Sequence, residues 1–421
     1  MRLFSALLLL ACAAAAAAPA RAAGTLVIAG GAVSAENAAV WRTFLAARPA
    51  GAGTILIVPA ASGSPVRAAR AAAATLVAHG ARPEEIEVLA LAREDDPDTP
   101  GTDERHWAAN SRNPDEIARV ARAGAIWFTG GDQSRVTSLL LEPDGSDTPM
   151  LASMRQRLAA GIVIGGTSAG AAIMGPVMIT RGDSLIAMLA PVLTDAIGTT
   201  GRDGGQMAVS RGLGFFPYGL IDQHFDRRAR LGRLARALLA PQVRATATVG
   251  FGIDEDSALI ADLASGTGRA VGAGSVTLVD ARNAKARELG GRLVADGLLL
   301  GLANSGDRIA LATLGLAPAP FKEPLAGREY WNHQVSDGGG MALPGQTVED
   351  VLGQDLLDNR GTRELERLTL SGREGVLFRF TQTEASRGWL GTDPDGRRRY
   401  SVSGVAFAIR PVRVRVSEIR R

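Results

Sequence analysis

The sequence predicts an α/β fold in which a parallel sheet is sandwiched by helices. Three observations predict it. Apolar runs of β type alternate with helical patterns in the order β-α-β-α from about residue 25 to about residue 165. The runs are continuously apolar, as in Ile55-Leu-Ile-Val58 and Ile162-Val-Ile164, so each strand is expected to be buried on both faces. The 421 residues are 46% hydrophobic and 21% charged, a composition suited to a packed core.

The elements follow in order. Met1-Arg2, an apolar stretch to Ala18 and Pro19-Ala-Arg-Ala22 have the layout of a secretory signal peptide, with cleavage expected after Ala22. This predicts export, to the periplasm or beyond. Leu9-Leu-Ala-Cys12 loosely resembles a lipoprotein box, but a better cleavage site follows it. Cys12 is the only cysteine, so the chain beyond residue 22 has no disulfide, thiolate nucleophile or cysteine-held metal. No later stretch of about 20 apolar residues offers a membrane span, so no membrane contact is expected after cleavage. The net charge is +3, and Arg2 and Arg21 leave with the signal. The remainder, near +1, gives no case for nucleic-acid binding.

Strands are predicted over 25–28, 54–58, 85–91, 125–129 and 162–165. Helices are predicted over 36–47, 66–79, 114–122 and 149–160, the third capped by Asn113. From Val249 onward short strands with Gly and Asp turns run to about Leu314. Ala317-Pro-Ala-Pro320 reads as a linker. The tail beyond it predicts a helix over 347–357 and strands over 375–381 and 400–409. The expected organisation is a signal peptide over 1–22, a main domain over 23–316 and a smaller mixed α/β extension over 317–421.

The segment Ile162-Val-Ile-Gly-Gly-Thr-Ser168-Ala-Gly170 carries the most information. A buried strand runs into Gly-Thr-Ser-Ala-Gly and then into a helical run. That is the strand–turn–helix context of a nucleophile elbow, whose glycines allow a tight turn and expose the Ser168 hydroxyl. The Ala169 N–H, at a helix start, then suits an oxyanion. A serine nucleophile needs a base. Of the four histidines, His79 precedes a glycine at a helix end, His106 lies in a polar loop and His333 lies in the tail. His224 follows the apolar run Tyr218-Gly-Leu-Ile221 and precedes a helix predicted over 226–239. It therefore sits at a strand's carboxyl end, where sites of such sheets form. The orienting acid comes from Asp254-Glu255-Asp256, among which strand alternation slightly favours Glu255.

Four patterns stand out: Gly130-Gly-Asp-Gln133, Gly165-Gly-Thr-Ser168-Ala-Gly-Ala, Asp222-Gln-His224-Phe-x-x-Arg228-x-Arg230-x-x-Arg233-Leu, and Gly252-Ile-Asp-Glu255-x-Ser-Ala. Together they resemble the cyanophycinases, relatives of the aspartyl dipeptidases in one serine peptidase family. The resemblance runs from about Thr25 to Leu314. It implies a flavodoxin-like sheet, a homodimer, and a triad of Ser168, His224 and Glu255. It implies hydrolysis of cyanophycin, a polyaspartate with arginine on each β-carboxyl, to β-aspartyl-arginine. It places substrate contacts on Gln133, Asp222, Gln223, Arg228, Arg230 and Arg233, and needs no metal or cofactor. Arginine forks suit the carboxylates of such a polymer. On one continuous helix Arg228 lies almost opposite Arg230, so all three arginines reach one ligand only if the helix starts late. The Gly131 N–H is placed to complete the oxyanion hole. Ser257 stands where the family more often has Thr, and the tail beyond about 317 has no counterpart in the minimal family domain. Two other functions fit the same chain: a dipeptidase for small aspartyl peptides, and a non-catalytic exported binding protein.

Overall fold

The computed structural model describes residues 24–201, 204–335 and 346–415. The expected signal peptide lies outside the described residues. Among the described residues no helix is long and apolar enough to cross a membrane.

Five parallel strands lie in the order Ile86–Val88, Ile55–Val58, Ala125–Phe128, Val163–Thr167 and Thr25–Ala29. Successive side chains point to opposite faces, and both faces are covered. Leu26, Ile28, Leu56, Val58, Ile126 and Phe128 join one core, with Val120, Met150 and Met154 from the helices Pro114–Arg122 and Pro149–Ala159. Val27, Ala29, Ile55, Ile57, Ala125 and Trp127 join the other, with Trp41, Phe44 and Leu76 from Ala38–Ala46 and Pro65–Ala78. This is why the strands read as unbroken apolar runs. The sheet continues antiparallel beyond Thr25–Ala29 through Ser257–Asp262 and Thr267–Gly272. The architecture is mixed α/β, a large parallel and mixed sheet flanked by helices, with further C-terminal strands.

A second sheet begins with the parallel pair Leu220–Gln223 and Val249–Ile253. It passes through Ser275–Asp280 and Arg292–Asn304 to the tail strand Arg398–Arg413. Glu374–Thr381 and Arg387–Thr392 pair with that strand. The tail thus shares a sheet with the strand that leads into His224. The stretch expected as a linker is packed rather than free. Ala319 donates its N–H to Asp307 at 2.8 Å, and the Lys322 ammonium is buried against the Asp307 carboxylate at 2.8 Å. In the tail helix the turns over Asp350–Leu357 are wide, bonded i to i+5. Its entry is a capping box, with Asp350 N–H donating to Thr347 Oγ1 at 3.1 Å and Thr347 N–H to Asp350 at 2.9 Å.

Two local expectations change. The helix expected from Asp226 starts at Leu231, because Ala229 sits at φ +48°, which no right-handed helix accommodates. The helix Gln133–Leu140 and the paired strands Val177–Arg181 and Ala208–Arg211 were not expected.

Candidate active site

Ser168 leaves the carboxyl end of Val163–Thr167 at φ +54° and ψ −111°, outside the ordinary regions for a residue with a side chain. Its N–H is fixed to Ala29 O at 3.0 Å. The flanking glycines make this turn possible. A Cβ on Gly166 would lie 2.4 Å from Gly170 O, and one on Gly170 would lie 2.6 Å from Phe128 O.

His224 leaves the carboxyl end of Leu220–Gln223 at φ +48°, with its N–H on Gly30 O at 2.6 Å. The two strand ends therefore meet. Ser168 Oγ lies 2.9 Å from His224 Nε2, and His224 Nδ1 lies 2.6 Å from Glu255 Oε1. A carboxylate only accepts, so Nδ1 carries the proton and Nε2 keeps its lone pair for the serine hydroxyl. Burial holds the His224 pKa below its ordinary 6.5, and the Arg228 charge pushes the same way. Glu255 opposes both. The imidazole is thus neutral at neutral pH.

The neighbours of Glu255 are engaged elsewhere. Asp254 accepts the N–H groups of Asp226 (3.1 Å) and Ser275 (2.8 Å). Asp256 accepts from Ser34 N–H and Asn37 Nδ2, both at 2.8 Å. Strand alternation does not govern this choice, because the strand ends at Ile253 and Asp256 turns at φ +54°. Gly31 closes the other side of the ring.

A pocket of about 160 Å³ opens from Ser168. Gly131, Gln133, Thr180, Gln223, Arg228, Arg230 and Arg233 line it. Larger hollows, of about 690, 390 and 380 Å³, lie around Arg211, Glu142 and Phe215 and contain none of the three hydrogen-bonded residues. The late helix start brings all three arginines to one pocket. Asp222, only 1% exposed, aims two of them. It accepts from Arg230 Nη1 at 3.3 Å and from Arg233 Nε at 2.9 Å, with a further contact to Arg233 Nη2. Arg230 also donates to Gln223 O at 2.6 Å. Gln133 Nε2 donates to Ile179 O at 2.9 Å and Thr180 O at 2.7 Å. Gln223 Oε1 finds no hydrogen-bond partner among the described residues. Gly130 packs beside the nucleophile; a Cβ there would lie 3.4 Å from Ser168 Cβ. The adjoining Gly131 has φ +145°. Ala169 is the first residue of the helix Ala169–Ala172. Among the described residues no group of three or more His, Cys, Asp or Glu side chains is placed to hold a metal ion.

The family model for Peptidase family S51 matches residues 101–263, a span that includes all three members of the hydrogen-bonded chain. The cyanophycinase of Trichormus variabilis is 32% identical over 256 residues, which cover 61% of this chain and 72% of that protein. The chain belongs to peptidase family S51. The cyanophycinase of Synechococcus elongatus is 36% identical over 176 residues, 42% of this chain. That match spans 47% of the Synechococcus protein, about half its length. A solved peptidase from an acI-B1 Actinobacterium is similar over 69% of this chain and 98% of its own, at 19% identity and a TM-score of 0.46.

Several features of this candidate site went unread in the sequence. Gly31, Thr180 and the fastening roles of Asp254 and Asp256 depend on contacts between distant segments. Only the Gly30-Gly31 pair at a strand's carboxyl end gave a local signal.

Proposed function

We propose that this chain is an exported serine exopeptidase that hydrolyses cyanophycin to β-aspartyl-arginine. One observation carries the reading: a Ser168–His224–Glu255 hydrogen-bonded chain stands at the mouth of a pocket lined with arginines. The similarity to the cyanophycinases of Synechococcus and Trichormus supports the substrate class.

The chemistry follows from the geometry. His224 Nε2 takes the Ser168 proton as Oγ attacks the backbone carbonyl carbon between two aspartates. The Ala169 and Gly131 N–H groups stabilise the oxyanion. The C–N bond then breaks, and His224 returns its proton to the leaving amine. Water then attacks the acyl-enzyme as His224 takes its proton; the ester C–O bond breaks, His224 returns that proton to Ser168 Oγ, and the carboxylate product leaves. Glu255 holds the imidazole tautomer throughout. Arg228, Arg230 and Arg233 bind substrate carboxylates, and Asp222 sets the direction of the last two. Gln223 Oε1 accepts from a substrate N–H, and Gln133 shapes the wall beside it.

The test is to incubate purified protein and a Ser168→Ala variant with cyanophycin and to identify the soluble products. β-Aspartyl-arginine from the parent alone supports the reading. Cleavage of small aspartyl peptides with the polymer untouched moves the assignment to a dipeptidase. Cleavage of neither leaves the fold and sinks the function.

A further inference from the structure

The C-terminal segment reaches the site from behind by two arms. In the first, Val348 opens the tail helix, where N–H groups have no partner within the helix. Its N–H lies 3.3 and 3.2 Å from the two carboxylate oxygens of Asp226, two residues beyond His224. In the second, Arg399 donates to Ala273 O and Gly274 O, both at 2.8 Å. Gly274 N–H in turn donates to Ser257 Oγ at 2.6 Å, and Ser275 N–H to Asp254. Asp254 and Ser257 flank Glu255. Glu349 joins the arms: it accepts from Tyr400 N–H at 2.7 Å and pairs with Arg399 at 3.4 Å. The Asp226 N–H on Asp254 ties the two loops together. Burial, and then the Glu349 charge, push the Asp254 carboxyl up to about 6. The tail also backs the arginine helix, since a Cβ on Gly232 would lie 2.6 Å from the Phe378 ring.

We propose that the C-terminal segment is a working part of the site: the Val348 N–H and Arg399 position the loops that present His224 to Ser168 and Glu255 to His224. Asp226 is the positioning residue at the join. This rests on the nucleophile assignment made above.

The experiment uses the full chain and a fluorophosphonate probe. It reads two quantities separately: the number of reactive serines per chain and the rate at which each reacts. Val348→Pro removes the N–H at a helix position that tolerates proline. Asp226→Ala removes the acceptor instead. Each variant is expected to titrate one serine per chain but to react about ten- to a hundred-fold more slowly, as for an ångström-scale misplacement. Because both break one bond, the double variant is expected to be no slower than the slower single. Asp226→Asn keeps an acceptor oxygen and recovers most of the rate. Three results overturn the proposal: Val348→Pro reacting at the parental rate, effects that multiply, or fewer reactive serines at an unchanged rate per site. A parent that labels no better than Ser168→Ala sinks the nucleophile assignment, a different failure.

Discussion

Gly31→Ala isolates the placement of the imidazole. A Cβ at residue 31 would lie 2.4 Å from both Cε1 and Nε2 of His224. Non-bonded carbon atoms rest at about 3.5–4.0 Å, so the ring must retreat by roughly 1 Å. The Ser168–His224 bond of 2.9 Å then opens past the range of a hydrogen bond. Such a displacement costs about a hundred-fold in kcat/KM, or about 2.7 kcal/mol of transition-state stabilisation. Gly31 also has φ +106°, where alanine is strained by about 1–3 kcal/mol. Gly80 supplies the control: it has the same φ of +106° with nothing within 4 Å of its would-be Cβ. Gly80→Ala therefore carries the backbone strain without the collision. The assay is cyanophycin hydrolysis beside thermal unfolding. Both variants are expected to melt lower, and only Gly31→Ala to lose activity. A Gly31→Ala enzyme with parental kcat/KM would mean that the ring position does not limit the reaction.

The acid limb of kcat/KM is expected below pH 6.5, because only the neutral imidazole is a base and burial lowers its pKa. Glu255 raises that pKa, so Glu255→Gln moves the limb to lower pH and cuts kcat by about two to four orders of magnitude. Arg228 lowers it, so Arg228→Gln moves the limb to higher pH; pH–rate profiles in which both variants shift the same way contradict the assignment. Asp222→Asn leaves Arg230 and Arg233 without their buried carboxylate, at a cost of about 3–5 kcal/mol. Thermal unfolding and steady-state kinetics should show a lower Tm and a higher KM, and an unchanged Tm refutes the role of Asp222.

What was legible in the sequence was local. The parallel sheet followed from apolar runs, because burial on both faces removes the alternation of a half-exposed strand. The Ser168 turn followed from glycines at fixed spacing around one serine. His224 followed from its place after a strand. Non-local geometry was not legible. The resemblance named Glu255, but spacing alone gave it only a slight lead over Asp254 and Asp256; what separates the three physically is Ser34, Asn37 and Ser275, which occupy the other two carboxylates. The convergence of three arginines turned on the single left-handed residue Ala229, since helical periodicity alone sends Arg228 away from Arg230. The apparent linker at 317–320 misled because proline and alanine composition does not reveal the buried Lys322–Asp307 pair that fastens it.

Mapping the residue that a fluorophosphonate modifies identifies the nucleophile directly. The protein would be labelled to completion and digested, and its peptides sequenced by mass spectrometry, beside a His224→Ala variant. One adduct per chain is expected, on Ser168, formed orders of magnitude more slowly in the variant. An adduct on another serine, or cyanophycin hydrolysis by a chain whose Ser168 never reacts, would contradict the Ser168 assignment.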